Sequence, residues 1–134
     1  MTENDIKRKI ETAAQKVYDK DKCLINHECN ELTINALVAC ALRNELPNWN
    51  VDVEFNRDGD KSKKVGNTVV KPDIIIHRRG KGMSNLAVIE AKGYWNSESR
   101  QVDEEKARKI KESHNYKYAF RLEYGQEKPE VFML

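Results

Sequence analysis

The first third of the chain has the spacing of apolar residues that is typical of α-helices. Residues 3–20 carry an apolar residue on one face at helical spacing, which predicts an amphipathic helix. These residues are Ile6, Ile10, Ala13, Ala14 and Val17. A second helix is predicted from about 27 to 46, with Asn26 as its N-cap and Pro47 marking its end. Apolar residues surround much of this helix, so we expect it to be buried, with Cys40 as a small core residue.

After the second helix the pattern changes to the two-residue period of β-strands. Residues 51–55 alternate apolar and acidic side chains, as in a half-buried strand. Residues 56–67 are polar and rich in Lys and Asp, which predicts an exposed loop. A second strand is predicted at about 69–77 and, after a turn at 78–84, a third at 86–92. The third strand is apolar on both faces, so we expect it to lie in the centre of the sheet.

The last third of the chain adds one helix and two strands. A highly charged helix is predicted at 102–114, and residues 116–124 alternate aromatic and polar side chains as in a strand. Residues 131–134 form a short closing strand. The predicted order is α-α-β-β-β-α-β-β, which indicates an α/β fold.

Composition narrows the class of protein. At 134 residues, with 39% hydrophobic and 34% charged residues, the chain fits one globular domain spanning 1–134. Its N-terminus lacks the order of a signal peptide and its apolar runs are too short to span a bilayer, so we expect a cytoplasmic protein without membrane contact. The three cysteines lack paired C-x-x-C spacing and are interpreted as reduced thiols rather than zinc ligands.

Two of the predicted strands carry polar residues that suggest chemistry. Asp73 begins the second strand, and Glu90 and Lys92 end the third. Residues two apart in a strand lie on the same face, so Glu90 and Lys92 project together, about 6 to 7 Å apart. If the two strands are neighbours, Asp73 lies beside them. Two carboxylates and an ammonium can bind a divalent metal and hydrolyse a phosphodiester. The alternatives are a turn Asp at 73 and a Lys92 that extends to solvent, whereas Glu90 is costly to bury unless it is paired or bound to a metal.

A basic segment lies beside these residues in the sequence. Between Asn56 and Lys81, eight basic residues face three acidic ones, a net charge of +5, although the whole chain carries only +2. This segment is either a solvated loop or a rim that grips phosphate. Lys106, on the apolar stripe of the late helix, either extends to solvent or reaches the site. The candidate nucleic-acid contacts are Arg57, Lys61, Lys63, Lys64, Arg78, Arg79, Lys81 and Lys106.

The chain resembles the PD-(D/E)XK nuclease superfamily, whose motif stands here as Pro72-Asp73 followed by Glu90-Ala91-Lys92. Its core order of helix, three-strand meander, helix and strand is similar to residues 28–122, which leaves 1–26 as an N-terminal helical extension. The resemblance implies a restriction-endonuclease-like fold with a mixed central sheet flanked by helices.

The same resemblance implies roles for individual residues. Asp73, Glu90 and the main-chain carbonyl of Ala91 would hold Mg²⁺ or Mn²⁺, and Lys92 would orient the attacking water. Small stand-alone bacterial proteins of this superfamily also have an Asn-Glu at a helix start and a downstream Asp-x-x-Lys, similar to Asn30-Glu31 and to Asp103 with Lys106 here. Glu31 would then be an additional site acid; the alternatives are a surface acid that complements the helix dipole, or Glu54 in that role.

These features predict a metal-dependent nuclease, with DNA favoured over RNA as its substrate. The resemblance also allows a two-fold homodimer, which would present two sites to two strands. Two other functions stay open. One is a nucleic-acid-binding module of the same fold that does not cleave. The other is an assembly protein that uses the aromatic strand 116–124 as an interface.

Overall fold

The computed structural model describes residues 1–55, 64–66, 68–80 and 84–134. Within these residues the chain forms three helices, a five-stranded sheet and a small separate hairpin. The helices are α1 (Glu3–Asn26), α2 (Glu31–Glu45) and α3 (Arg100–Ser113). The strands are β1 (Asn50–Val53), β2 (Lys64–Val65), β3 (Thr68–Val69), β4 (Ile74–His77), β5 (Asn85–Gly93), β6 (Tyr118–Tyr124) and β7 (Pro129–Met133).

The boundary between the first two helices differs from the prediction. Helix α1 continues to Asn26, so Asn26 does not cap α2. The chain turns at Glu28, which has a φ of 51°, and Asn30 then accepts a hydrogen bond of 2.8 Å from the backbone N–H of Leu32. Asn30 is therefore the N-cap of α2.

The large sheet is mixed, with strand order β1-β4-β5-β6-β7. Strands β5 and β6 are parallel, and every other neighbouring pair is antiparallel. The α/β class with a mixed sheet between helices is thus confirmed, and β5 lies in its centre. The order of elements differs from the prediction because β2 and β3 form an extra hairpin. The predicted strand 69–77 is divided at Pro72, which has no N–H to give to a strand ladder.

The helices cover opposite faces of the sheet. Helices α1 and α2 pack on one face, where Ile74, Ile76 and Ile89 are buried, and α3 packs on the other against Ile75 and Val88. Because side chains alternate along a strand, Glu90 and Lys92 share the α3 face with Val88. None of the helices among the described residues combines the length and apolar character that a membrane span needs.

Helix α2 is less buried than its composition predicts. Its buried residues form one stripe, which includes Ile34, Val38 and Leu42, and Cys40 is exposed. The prediction that Cys40 is a core residue is therefore wrong. Helix α1, predicted as an extension, contributes seven buried residues and belongs to the main core.

Strand β1 is fixed at the edge of the sheet by a buried charge cluster around Asp52. Its carboxylate lies 2.6 Å from Nε2 of His77, accepts a hydrogen bond of 2.8 Å from Nε of Arg79, and is paired with a second Arg79 nitrogen. Arg43 donates to the carbonyl of Val51 at 2.7 and 2.9 Å. Burial opposes the charge of Asp52, but the hydrogen bonds from Arg79 and His77 outweigh it and lower its pKa.

Replacing Asp52 by Asn is expected to lower the free energy of unfolding by about 1–3 kcal/mol, because the charge-assisted hydrogen bonds of a largely buried group are lost. Since the pKa of Asp52 is lower in the folded state, its stabilising contribution is full above the ordinary value of 3.8 and is lost as the pH falls through the folded value. Urea unfolding of wild type and Asp52→Asn between pH 3 and 7 measures both effects. The exposed Glu11→Gln is the control, and equal unfolding curves for both variants would contradict the expectation.

Candidate active site

The antiparallel pairing of β4 with β5 brings the predicted motif together. Ile74 lies opposite Ile89, so Asp73 stands beside Glu90. Oδ2 of Asp73 accepts a hydrogen bond of 2.8 Å from the backbone N–H of Ala91. The two residues open onto a pocket of about 300 Å³. Its lining is Asn30, Glu31, Leu32, Asn35, Glu54, Asp73, Glu90, Ala91, Lys92, Glu98, Asp103 and Lys106.

Glu90 is the most unusual residue of the pocket. Its side chain is 1% exposed, and Nζ of Lys106 lies 2.8 Å from Oε1 as an ion pair. Lys106 is the cationic partner of this carboxylate, and the acidic group beside it is that of Asp73. Burial, followed by the adjacent Asp73 carboxylate, raises the pKa of Glu90 well above its ordinary value, and Lys106 offsets this only in part. A carboxylate in such a place is costly unless a cation completes it.

Lys92 points into the same pocket but is held by two acids. Its Nζ lies 3.0 Å from Oε2 of Glu98 and 3.2 Å from Oδ2 of Asp103, and its side chain is 8% exposed. Burial opposes the ammonium charge, but the hydrogen bonds with Glu98 and Asp103 outweigh burial and raise the pKa of Lys92. Lys92 is therefore a fixed positive charge in the pocket rather than a proton acceptor.

Glu98 lines this pocket and Arg100 holds the connector that carries it, although neither residue was predicted as a site residue. Arg100 donates to the carbonyls of Asn96 at 2.6 Å, Glu98 at 2.7 Å and Gly93 at 3.0 Å. It also pairs with Glu123 on β6 at 2.9 Å. These bonds fold the connector between β5 and α3 over the pocket, which places Glu98 beside Lys92. The connector has no regular period, so the sequence held no pattern that would indicate this.

Glu31 lines the pocket from the first turn of α2, and its role as an additional site acid stays a prediction. Its Oε2 accepts a hydrogen bond of 2.5 Å from the backbone N–H of Gly93, and its Oε1 accepts one of 3.4 Å from the Asn96 side chain. This carboxylate therefore fixes the end of β5 and the start of the connector. Glu54 also lines the pocket, and its backbone N–H donates to the carbonyl of Asp73 at 3.1 Å.

The donor set of the pocket fits a hard divalent cation. Asp73 lies close enough to Glu90 to raise the pKa of the Glu90 carboxyl, and Ala91 belongs to the same lining. The described lining has six carboxylates and two ammonium groups, so added positive charge would be favoured. Among the described residues, no cluster of three or more His, Cys, Asp or Glu side chains is arranged to hold a metal. Two carboxylates with a main-chain carbonyl and water are thus the ligand set that these residues support.

Two of the predicted phosphate contacts, Arg78 and Arg79, lie away from the pocket. Arg78 stacks on the ring of Trp49 at 4.1 Å, and Arg79 binds Asp52. Both follow the far end of β4, roughly 13 Å along the strand from Asp73, because the turn of an antiparallel hairpin lies opposite its open end.

The structure therefore does not bring Arg78 or Arg79 to the pocket, whereas Lys106 does line it. Arg57, Lys61, Lys63 and Lys81 lie outside the described residues, as does the side chain of Lys64. Their contact with nucleic acid stays a prediction.

Comparison with protein-family models, curated proteins and solved structures finds no match for this chain. The resemblance to the nuclease superfamily therefore depends on the sequence motif Pro72-Asp73 and Glu90-Ala91-Lys92, on the predicted order of elements, and on Asn30-Glu31 and Asp103 with Lys106.

Proposed function

We propose that this protein is a metal-dependent phosphodiesterase that hydrolyses nucleic acid, with DNA as the favoured substrate. The observation that carries the proposal is the buried Glu90 carboxylate, which lies beside Asp73 and lines the pocket that Lys92 also lines. A structural role would be served better by an apolar residue at this position in a central strand. The arrangement combines a ligand pair for a cation with a fixed ammonium for a phosphate.

Mg²⁺ or Mn²⁺ held by Asp73, Glu90 and the Ala91 carbonyl would supply Lewis-acid polarisation of the scissile phosphate and an activated water. The protein's own residues provide the rest. The Lys92 ammonium neutralises charge that develops on the phosphate and orients the attacking water. Asp103 keeps this ammonium protonated and in place, and Glu31 fixes the strand end that carries it.

The test is incubation of purified protein with linear, nicked, branched and single-stranded DNA, and with RNA, in Mg²⁺, Mn²⁺ or EDTA. Asp73→Asn preserves the shape of the side chain and removes the charge, and Glu105→Gln removes an exposed carboxylate from α3 as the matched control. We expect cleavage that needs metal, falls on the order of 10³-fold in Asp73→Asn and is unchanged in Glu105→Gln.

Two outcomes would redirect the proposal. Salt-sensitive binding of DNA without cleavage in any metal would favour the binding module, and neither binding nor cleavage would favour the assembly protein.

A two-fold dimer would present two pockets to the two strands of a duplex, and the particle mass measured by light scattering tests that arrangement.

A further inference from the structure

The Lys106 ammonium occupies the place beside Glu90 where the proposed cation would bind. Lys106 projects from α3, and its Nζ lies 2.8 Å from Oε1 of Glu90 and 3.0 Å from the carbonyl oxygen of Lys71. Glu90 is almost wholly buried, whereas about a third of the Lys106 side chain is exposed. The carboxylate is thus fixed in the strand, and its counter-ion has a path to solvent.

An ammonium and a divalent cation beside the same largely buried carboxylate repel each other, so binding of the cation weakens the hold of Glu90 on the ammonium. The fixed ligand is Glu90, so the group that leaves must be Lys106. Its long side chain can turn toward solvent, because about a third of it is already exposed and its ammonium is held only by Glu90 and the carbonyl of Lys71. After this movement its positive charge would remain at the mouth of the pocket, where a phosphate enters.

We propose that Lys106 is a displaceable counter-ion. It holds the carboxylate pair of Asp73 and Glu90 together while the cation is absent, leaves Glu90 when the cation binds, and then faces the phosphate of the substrate. This inference rests on the proposed function, because it assumes that the pocket binds a divalent cation. Lys106 is therefore a positioning residue whose effect falls on the affinity for the cation as well as on catalysis.

The test is calorimetric titration of Mn²⁺ into DNA-free protein at pH 8.5. Lys106→Met keeps the length of the side chain and removes the competing charge, so we expect Mn²⁺ to bind about threefold to tenfold more tightly. Lys106→Arg keeps the charge and is expected to bind within about twofold of wild type, as is the exposed Lys109→Met on the same helix. In thermal melts, metal-free Lys106→Met should unfold at a lower temperature than wild type, and Mn²⁺ should raise its melting temperature by more than it raises that of wild type.

Unchanged or weaker Mn²⁺ affinity in Lys106→Met would overturn the inference, and so would equal tightening in Lys109→Met. If Lys106→Met does not fold, Lys106→Gln serves for the same titration with the same expected direction. A wild-type protein that binds no Mn²⁺ and cleaves nothing would overturn the proposed function together with the inference. A wild type that binds Mn²⁺ and cleaves, beside a Lys106→Met that binds no more tightly, would overturn the inference alone.

Discussion

Replacing Glu90 by Gln is expected to abolish cleavage and, at the same time, to make the metal-free protein more stable. Loss of a charged ligand to the proposed cation should reduce the rate on the order of 10³-fold or more. Gln has nearly the same shape as Glu, so the packing of β5 should be preserved. The loss of rate would then report the missing charge rather than a damaged fold.

The gain in stability follows from the surroundings of Glu90. In the metal-free protein its carboxylate is buried beside that of Asp73, with Lys106 as its ion-pair partner among the described residues. Replacing the carboxylate by an amide removes the cost of burying a negative charge beside another one. The ammonium of the partly exposed Lys106 can then turn to solvent. We expect the free energy of unfolding to rise by about 1 kcal/mol.

Urea unfolding in EDTA, beside cleavage in Mn²⁺, measures both quantities on the same samples. Glu105→Gln is the control for loss of a negative charge on the protein. A Glu90→Gln variant that loses stability and activity together would identify Glu90 as a structural residue. A variant that remains active would remove Glu90 from the catalytic site.

The second large effect is expected at Lys92. Lys92→Met should reduce cleavage by about 10²- to 10⁴-fold, because the positive charge that faces the phosphate is lost. It should also lower the free energy of unfolding by about 2 kcal/mol, because the largely buried Asp103 carboxylate loses its partner at 3.2 Å.

A double variant separates these two effects. Adding Asp103→Asn to Lys92→Met removes the unpaired charge, so most of the lost stability should return while cleavage stays at the level of the single variant. The single variant Asp103→Asn completes the double-mutant cycle of wild type, two single variants and the double variant. Recovery of cleavage together with stability would show that Lys92 acts through the fold, and Lys92 would then have no direct part in the reaction.

The central part of this site could be predicted from the sequence because it follows from local pattern. The apolar run 86–92 indicated a buried central strand, and its two-residue period placed Glu90 and Lys92 on one face. The position of Asp73 required only that the two strands be neighbours, which a short connection favours. These features depend on few residues and on short distances along the chain.

The sequence does not indicate how the strands and helices are oriented in the fold, or which charged side chains pair with one another. Arg78 and Arg79 follow Asp73 by only five and six positions, yet the direction of β4 carries them away from the pocket. The binding of Arg79 to Asp52 joins a residue that follows β4 to one on β1, and no local period indicates such a pairing. The outward position of Cys40 likewise depends on which side of α2 meets the sheet.

The packing of α1 against β7 joins the first helix to the last strand. Tyr18 donates a hydrogen bond of 2.7 Å to the carbonyl of Gly125, a residue 107 positions later, just before β7. A ribosome produces α1 early, and α2 can cover part of its apolar stripe soon afterwards. Other parts of the stripe gain their cover only when β6 and β7, which both contact α1, have been synthesised. During that interval the nascent chain is most prone to aggregation. The length of the interval depends on the speed of translation rather than on the stability of the folded protein.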